Sequence, residues 1–478
     1  MNLLLIPSTL TYSNVGDLAM LVVAIKRFEA LLPHCTLNVI TEDPRTVSSI
    51  SPRAVPCVVN PKKPADRAEQ WLRSVRRALG PVELAAPRAV HRAIQAASCF
   101  RRNYAATERI HHFLRRCDGV VFSGGGFLTD AFSGSCMAAI TLMERAVSLE
   151  KPLFLMGQGV GPFSSAALRD RLLAVLKYVK KAYLREPIES SILLFESGVD
   201  RSEYGVTGDD AIEIVRARGE KVPKREAVGI NLRLAGYSGV GVREVRRLTH
   251  VLGRAGKELG LRWRPIPIVV GGVHDDYRGA GLIAAYSEAA SRPHMVFEAI
   301  SDWRGKPGRC LLCRFEESVY SCPFSSMSRG GSSSMVRRSE RAGQTKVPST
   351  CCTSSGLGRP GGILGHLDLA IEAAGGCRVV LAGSYHAAVF ALSQGVPVVA
   401  VHASDYYQVK FTGLAAMFPG GLSLVDLRLN DAEERLCSSL NRAWVFQPSL
   451  ARRLETRATS QVASSWRAYR SVAQHFEG

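Results

Sequence analysis

The 478-residue sequence has no run of 18 or more apolar residues, so no membrane-spanning helix is expected. Its opening, MNLLLIPSTLTYSNVGD, has no charged leader and no small-residue cleavage site, which argues against a secretory signal. The 12 cysteines lack even spacing and a secretory context. Reduced thiols in a cytoplasm are therefore expected, not a disulfide framework. The first strand and helix are joined without a G-x-G-x-x-G or a Walker lysine, so neither nucleotide fingerprint applies. Acidic residues are scarce, 42 against 61 Lys and Arg, for a formal charge of +19. Such a balance suits phosphorylated substrates, nucleic acid or an anionic membrane surface. No basic stripe interleaved with aromatics accompanies it, and arginines such as Arg73, Arg76, Arg77, Arg101 and Arg102 are scattered, so nucleic acid is not expected.

What is present describes a globular chain, 46% apolar and 22% charged, too long for one ordinary core. Short apolar runs alternate with helical spacing, the pattern of an α/β protein. Strands are expected at Leu3 to Ile6, Leu37 to Ile40, Gly119 to Phe122, Pro152 to Met156 and Ala182 to Arg185. Helices are expected at Leu18 to Leu32 and Leu168 to Val179. Residues 61 to 117 are basic, helical and poorly patterned. Loops with glycine or polar residues follow the strands: Asn14-Val15-Gly16-Asp17, Ser123-Gly124-Gly125-Gly126-Phe127, Gly157 to Phe163 and Gly205 to Asp210. Successive glycine loops after strands point to a crevice at the carboxyl edge of a parallel sheet, although Asn14 and Asp17 alone also suit turn and cap roles.

A polar, basic stretch at Lys221 to Arg225 reads as a linker. It divides a domain at 1–222 from a second at 226–450, with a C-terminal helix at 451–478. The second domain opens with a strand at Ala227 to Leu232, a helix at Val242 to Leu259 and a strand at Trp263 to Val270. His274, Asp275 and Asp276 form a polar loop after it, with a composition that could also suit a metal. After a helix at Leu364 to Ala374 come a strand at Val379 to Leu381, a tight turn, a helix at His386 to Leu392 and a strand from Val398 to Val401. His386 thus falls at the start of a helix just beyond a strand end, where free N–H groups and the helix dipole attract anions. Terminal helices follow at Ala432 to Ala443 and Pro448 to Ala473.

Residues 301–360 do not fit this pattern. They hold 13 Ser and 5 of the 12 Cys without a sustained period. Cys310-x-x-Cys313, Cys322 and Cys351-Cys352 lack the second C-x-x-C expected of a zinc site. A disordered Ser/Arg-rich insert is a second reading. The abrupt change of character and the clean return of α/β patterning at Gly362 favour a third, translation out of frame between compensating shifts.

In order, these motifs resemble the polysaccharide pyruvyl transferase family. The matching stretches are Asn14-Val15-Gly16-Asp17, Gly124 to Gly126, Gly157 to Phe163, Arg185-Glu186 and Thr207-Gly208-Asp209-Asp210. They continue with Asn231-Leu232-Arg233, Gly383-Ser384-Tyr385-His386-Ala387 and Tyr407-x-x-Lys410-x-x-Gly413-Leu414. Glu186 stands where the family usually has Asp. Ser384-Tyr385 replaces the arginine-containing stretch that many relatives carry before the histidine.

The resemblance implies two Rossmann-like domains facing across a cleft, similar to the GT-B glycosyltransferases. It implies transfer of the pyruvyl group of phosphoenolpyruvate to a sugar of a polysaccharide or lipid-linked glycan. His386 would be the acid/base, and Asp17 would orient the acceptor hydroxyl. Arg233, Ser384, Tyr385 and Lys410 would bind the donor. Asn14, Gly16, Gly125, Gly126 and Gln158 would form acceptor or cleft loops. The donor carries a phosphate and a carboxylate, hence the call for fixed cations and N–H donors. No metal or other cofactor is implied. The partners would be phosphoenolpyruvate and a glycan, met in the cytoplasm or at the inner membrane face where the acceptor is lipid-linked. Two alternatives stand beside this reading. One is a GT-B-type glycosyltransferase using a nucleotide sugar; the other is a non-catalytic glycan or anion binder, should 301–360 disrupt the second domain.

Overall fold

The computed structural model describes residues 1–59, 109–218, 226–259, 262–269, 276, 296–297, 362–445 and 447–477. The expected linker at 221–225, the loop residues His274 and Asp275, and the anomalous stretch 301–360 lie outside the described residues. The chain divides into two compact units. The first comprises Met1–Tyr12, Asp17–Ile214 and Ser460–Gly478; the second comprises Ser13–Gly16 and Val215–Thr459.

The first unit is a parallel α/β sheet. Its elements run β1 (Asn2–Pro7), α1 (Val15–Leu31, whose Val15 and Gly16 belong to the second unit), β2 (Thr36–Thr41), α2 (Pro44–Ile50), β3 (Val55–Val58), β4 (Gly119–Leu128) and α3 (Ser133–Ser148). They continue with β5 (Leu153–Val160), α4 (Ala166–Leu176), β6 (Val179–Leu184), α5 (Glu189–Glu196), β7 (Tyr204–Val206) and α6 (Ala211–Arg218). The sheet order is β3-β2-β1-β4-β5-β6-β7, every pair parallel. Strands covered by helices on both faces must be apolar on both, and β1 and β5 are buried along nearly their whole length. One face carries the cluster of Leu4, Phe122, Leu155, Ile140 and Leu172.

Three expectations are corrected here. Gly124 to Gly126 and Gly157 to Val160, read as loops, lie within β4 and β5. Gly124 (φ 42°) and Gly157 (φ 56°) take left-handed backbone that glycine tolerates, and the ladder continues past a register shift between Gly125 and Leu128. The helix expected to reach Val179 stops at Leu176, because Val179 pairs with Leu153 as the first residue of β6. Helix α1 begins at Val15, not Leu18.

The second unit repeats the architecture. Its elements are β8 (Ala227–Asn231), α7 (Val242–Leu259), β9 (Arg262–Pro265), β10 (Val296–Phe297), α8 (Gly362–Gly375), β11 (Val379–Ala382) and α9 (Tyr385–Leu392). They end with β12 (Val398–His402), α10 (Asp405–Met417), β13 (Leu422–Asp426), α11 (Ala432–Trp444) and α12 (Pro448–Gln474), whose residues from Ser460 on belong to the first unit. The parallel order is β10-β9-β8-β11-β12-β13. The strand order therefore reverses direction between β8 and β11, the position where open α/β sheets form a ligand crevice.

At the end of β12, His402 is buried. Burial holds its imidazole below the ordinary range, although Asp426 draws it upward. The unfolded chain takes a proton below about pH 6.5 and the folded chain resists it, so stability is complete above that pH and falls below it by up to about 1.4 kcal/mol per pH unit. His402→Gln should flatten this limb in urea-unfolding midpoints measured between about pH 5 and 6.5. An unchanged slope would assign the limb to another group.

Candidate functional site

The site is built at the switch point of the second sheet. The carboxyl ends of β8 and β11 are tied by a hydrogen bond from the Gly383 N–H to the Asn231 carbonyl, 2.7 Å. Asn231-Leu232-Arg233 leaves β8 as Gly383-Ser384-Tyr385-His386 leaves β11. Ser384 is the extended residue before α9 (φ −134°, ψ 150°), so the N–H groups of the first turn of α9 have no acceptor within the helix. The Ser384 hydroxyl is buried with no protein partner among the described residues. His386 is 6% exposed, with its ring beside Tyr385 (5.6 Å between centroids, edge-on) and Phe390 (6.3 Å).

The Asn14-Val15-Gly16 stretch joins this edge. The Val15 N–H donates to the Ile268 carbonyl at 2.8 Å, and Asn14 forms an antiparallel bridge with Val269. The Asn14 side-chain oxygen accepts the Gly16 N–H at 3.1 Å, as a helix cap would. Gly16 then lies directly on His386: a β-carbon there would stand 2.0 Å from the imidazole Cγ. Asp17, expected as a possible cap, is the third residue of α1; Asn14 makes the capping contact.

Arg233 is buried, and its guanidinium is held. Nε donates to Asp276 Oδ1 at 2.7 Å, Nη2 to Asp276 Oδ2 at 3.1 Å, and Nη1 to the Tyr237 hydroxyl at 3.1 Å. Burial opposes the charge, but Asp276 overrides it and keeps Arg233 well above the ordinary arginine range. A guanidinium has five N–H donors, and these contacts engage three. The Arg233–Asp276 pair is neutral as a unit, so Arg233 offers direction more than net charge. Tyr407 faces the pair. Burial drives its phenol well above the ordinary range, with Arg233 opposing, so it stays neutral. Tyr237, Tyr406 and Tyr407 form an aromatic wall with centroids 5.2 to 6.1 Å apart. Buried Lys410, one turn along α10, has its ammonium 5.4 Å from the Tyr406 ring centroid.

Seven of the expected residues thus belong to the second unit: Asn14, Gly16, Arg233, Ser384, Tyr385, His386 and Lys410. Asp17, Gly125, Gly126 and Gln158 belong to the first. There, Gln158 is fully buried on β5, and neither amide atom has a protein partner among the described residues. Glu186, the departure from the family's Asp, accepts the N–H groups of Ile188 and Ser190, each at 2.7 Å, and so caps α5. Spacing did not reveal Asp276 and Tyr237 as Arg233's partners; the polar loops that hold them were the only signal. Among the described residues, no group of three or more His, Cys, Asp or Glu is placed to hold a metal ion.

Two parallel Rossmann-like sheets with a ligand-type edge define the class as GT-B-like α/β. Solved structures agree on the fold. A candidate UDP-N-acetylglucosamine 2-epimerase from Listeria monocytogenes has 11% identity and a TM-score of 0.52, over 100% of this chain and 96% of that one. The Neisseria meningitidis UDP-GlcNAc 2-epimerase, bound to UDP-GlcNAc, has 10% identity and a TM-score of 0.50, over 98% of each chain. Anabaena HepE with UDP has 9% identity and a TM-score of 0.50, over 100% of both. No curated protein sequence matches the chain. Residues 14–291 match the family model described as polysaccharide pyruvyl transferase, more than half of the sequence, and the chain belongs to that family.

Proposed function

We propose that this protein transfers the pyruvyl group of phosphoenolpyruvate to two hydroxyls of a sugar in a polysaccharide or lipid-linked glycan, forming a cyclic ketal and releasing phosphate. One proton goes to the methylene carbon, which becomes a methyl group. The first sugar oxygen bonds to the enol carbon and gives up its proton; the second displaces phosphate and gives up its own. His386 is the group suited to move these protons, since an imidazole nitrogen can both accept and donate one. The α9 N-terminus, the Ser384 hydroxyl, Arg233 and Lys410 offer donors and charge for the phosphate and carboxylate. Tyr385 backs the histidine on the donor side. Asp17, Gly125, Gly126 and Gln158 are the acceptor-side candidates.

The observation that carries this reading is the convergence of His386, Arg233 and the Asn14-Val15-Gly16 backbone on one switch point in a member of this family. Among the described residues no helix is long and apolar enough to cross a membrane. A cytoplasmic enzyme, meeting lipid-linked acceptors at the inner membrane face, accords with that. Release of phosphate from phosphoenolpyruvate, dependent on an added glycan, tests the reaction. Tight nucleotide-sugar binding without phosphate release would overturn it in favour of a glycosyltransferase.

Arg233→Ala should raise the KM for phosphoenolpyruvate about tenfold or more and change kcat less, since a hydrogen bond to a charged group contributes about 1.5–3 kcal/mol. Asp276 keeps its amide and backbone donors in that variant, so the fold should survive. An unchanged KM would remove Arg233 from donor binding.

A further inference from the structure

We infer that Asp276 is a positioning residue that fixes both Arg233 and His386, through two separate arms. The inference rests on the roles given to those two residues above. A carboxylate that only neutralised Arg233 would need the two guanidinium contacts. Asp276, 4% exposed, takes five donors. Two come from Arg233 and one from the Asn231 amide at 2.8 Å. This first arm locks the end of β8 and the plane of the guanidinium. The other two are the backbone N–H groups of Ile268 and Val269, each at 2.9 Å. The Asp276 N–H in turn donates to the Val269 carbonyl at 3.0 Å.

That second arm continues to the histidine. Ile268 and Val269 are the residues that hold Val15 and Asn14. Gly16, next in the chain, is pressed on the imidazole so closely that a β-carbon would overlap Cγ. Moving the 268–269 segment therefore moves the surface that sets where the ring can sit. A misplacement near 1 Å at a reacting centre can cost about a hundredfold, so even a partial shift of these two side chains should be measurable.

The test uses the full chain and steady-state kinetics with phosphoenolpyruvate. Asp276→Asn should raise the donor KM about tenfold and lower kcat about tenfold. In an Arg233→Ala background the KM effect should vanish, because the guanidinium that the first arm orients is already gone, while the kcat effect persists. A lower melting temperature with parental kcat and KM, or a kcat effect that also vanishes in that background, would overturn the inference. Should Asp276→Asn fail to fold, Asp276→Glu keeps the charge and displaces the carboxylate by one methylene. It should show the same split at smaller size, and parental kinetics in it would overturn the inference too. If the parent neither binds phosphoenolpyruvate nor releases phosphate, the functional reading fails separately. The second arm is then read by the rate at which diethyl pyrocarbonate modifies His386, followed by peptide mass spectrometry. Asp276→Glu should change that rate, and an unchanged rate would count against the arm.

Discussion

Replacing His386 by alanine should lower turnover about 100-fold, the amount that a positioned proton donor or acceptor commonly supplies. The effect should fall on kcat more than on the donor KM, because anion binding is shared among the α9 N-terminus, Ser384, Arg233 and Lys410. The fold should persist. Helix α9 is anchored by buried Ala387, Ala388, Val389, Phe390, Ala391 and Leu392, none of which needs the imidazole. A His386→Gln variant separates packing from chemistry. It fills much of the same space against Gly16, Tyr385 and Phe390 but cannot exchange a proton near neutral pH. It should lose as much turnover as the alanine variant while melting nearer the parent. Turnover within about threefold of the parent in both variants would remove His386 from the proton transfers.

The second sheet's central βαβ unit was legible because its punctuation is local. Val379 to Leu381 is a β-branched and apolar run, Gly383-Ser384 breaks it, and Gly395 and Pro397 stop the helix that follows. The structure moves those boundaries by a single residue. The glycine stretches of β4 and β5 were read one step too simply. Glycine after an apolar run signals unusual backbone, and here that backbone stays inside the ladder through positive φ at Gly124 and Gly157. The site's inner connections were not legible at all. Arg233 meets Asp276 across 43 positions, and Gly16 meets His386 across 370. Such pairings depend on which strands become neighbours, and no local spacing encodes that. Arg27, inside LAMLVVAIKRFEALL, is only 1% exposed, and nothing in its local spacing marks the distant partners it meets.

That arginine sets the largest expected effect on stability. Asp210, the last residue of Thr207-Gly208-Asp209-Asp210, faces Arg27 inside the first unit. Its Oδ1 accepts from Arg27 Nη1 at 3.3 Å and from the Ser465 hydroxyl at 2.5 Å; its Oδ2 accepts from the Tyr469 hydroxyl at 2.8 Å. Arg27 also donates to Glu213 through Nε at 2.8 Å and lies over the rings of Trp466 and Tyr469, 5.1 and 4.7 Å from their centroids. Burial pushes the Asp210 carboxyl upward, while Arg27 and the two hydroxyls draw it down. A family-motif acid is thus the anchor that holds the end of α12 to the first unit. Asp210→Ala would leave a buried guanidinium and two hydroxyls without their shared acceptor. Breaking one side of a buried pair costs about 3–5 kcal/mol, a large part of the roughly 5–15 kcal/mol that holds a typical domain. Denaturant unfolding midpoints followed by circular dichroism measure this loss. Hydrogen exchange should rise first along residues 460–474, because the anchor is local to that segment. The double change Arg27→Met with Asp210→Leu removes both charges together and should recover much of the loss, since the desolvation cost disappears with the attraction. A loss below about 1 kcal/mol in Asp210→Ala would mean that Glu213 alone satisfies Arg27 and that Asp210 is not the anchor.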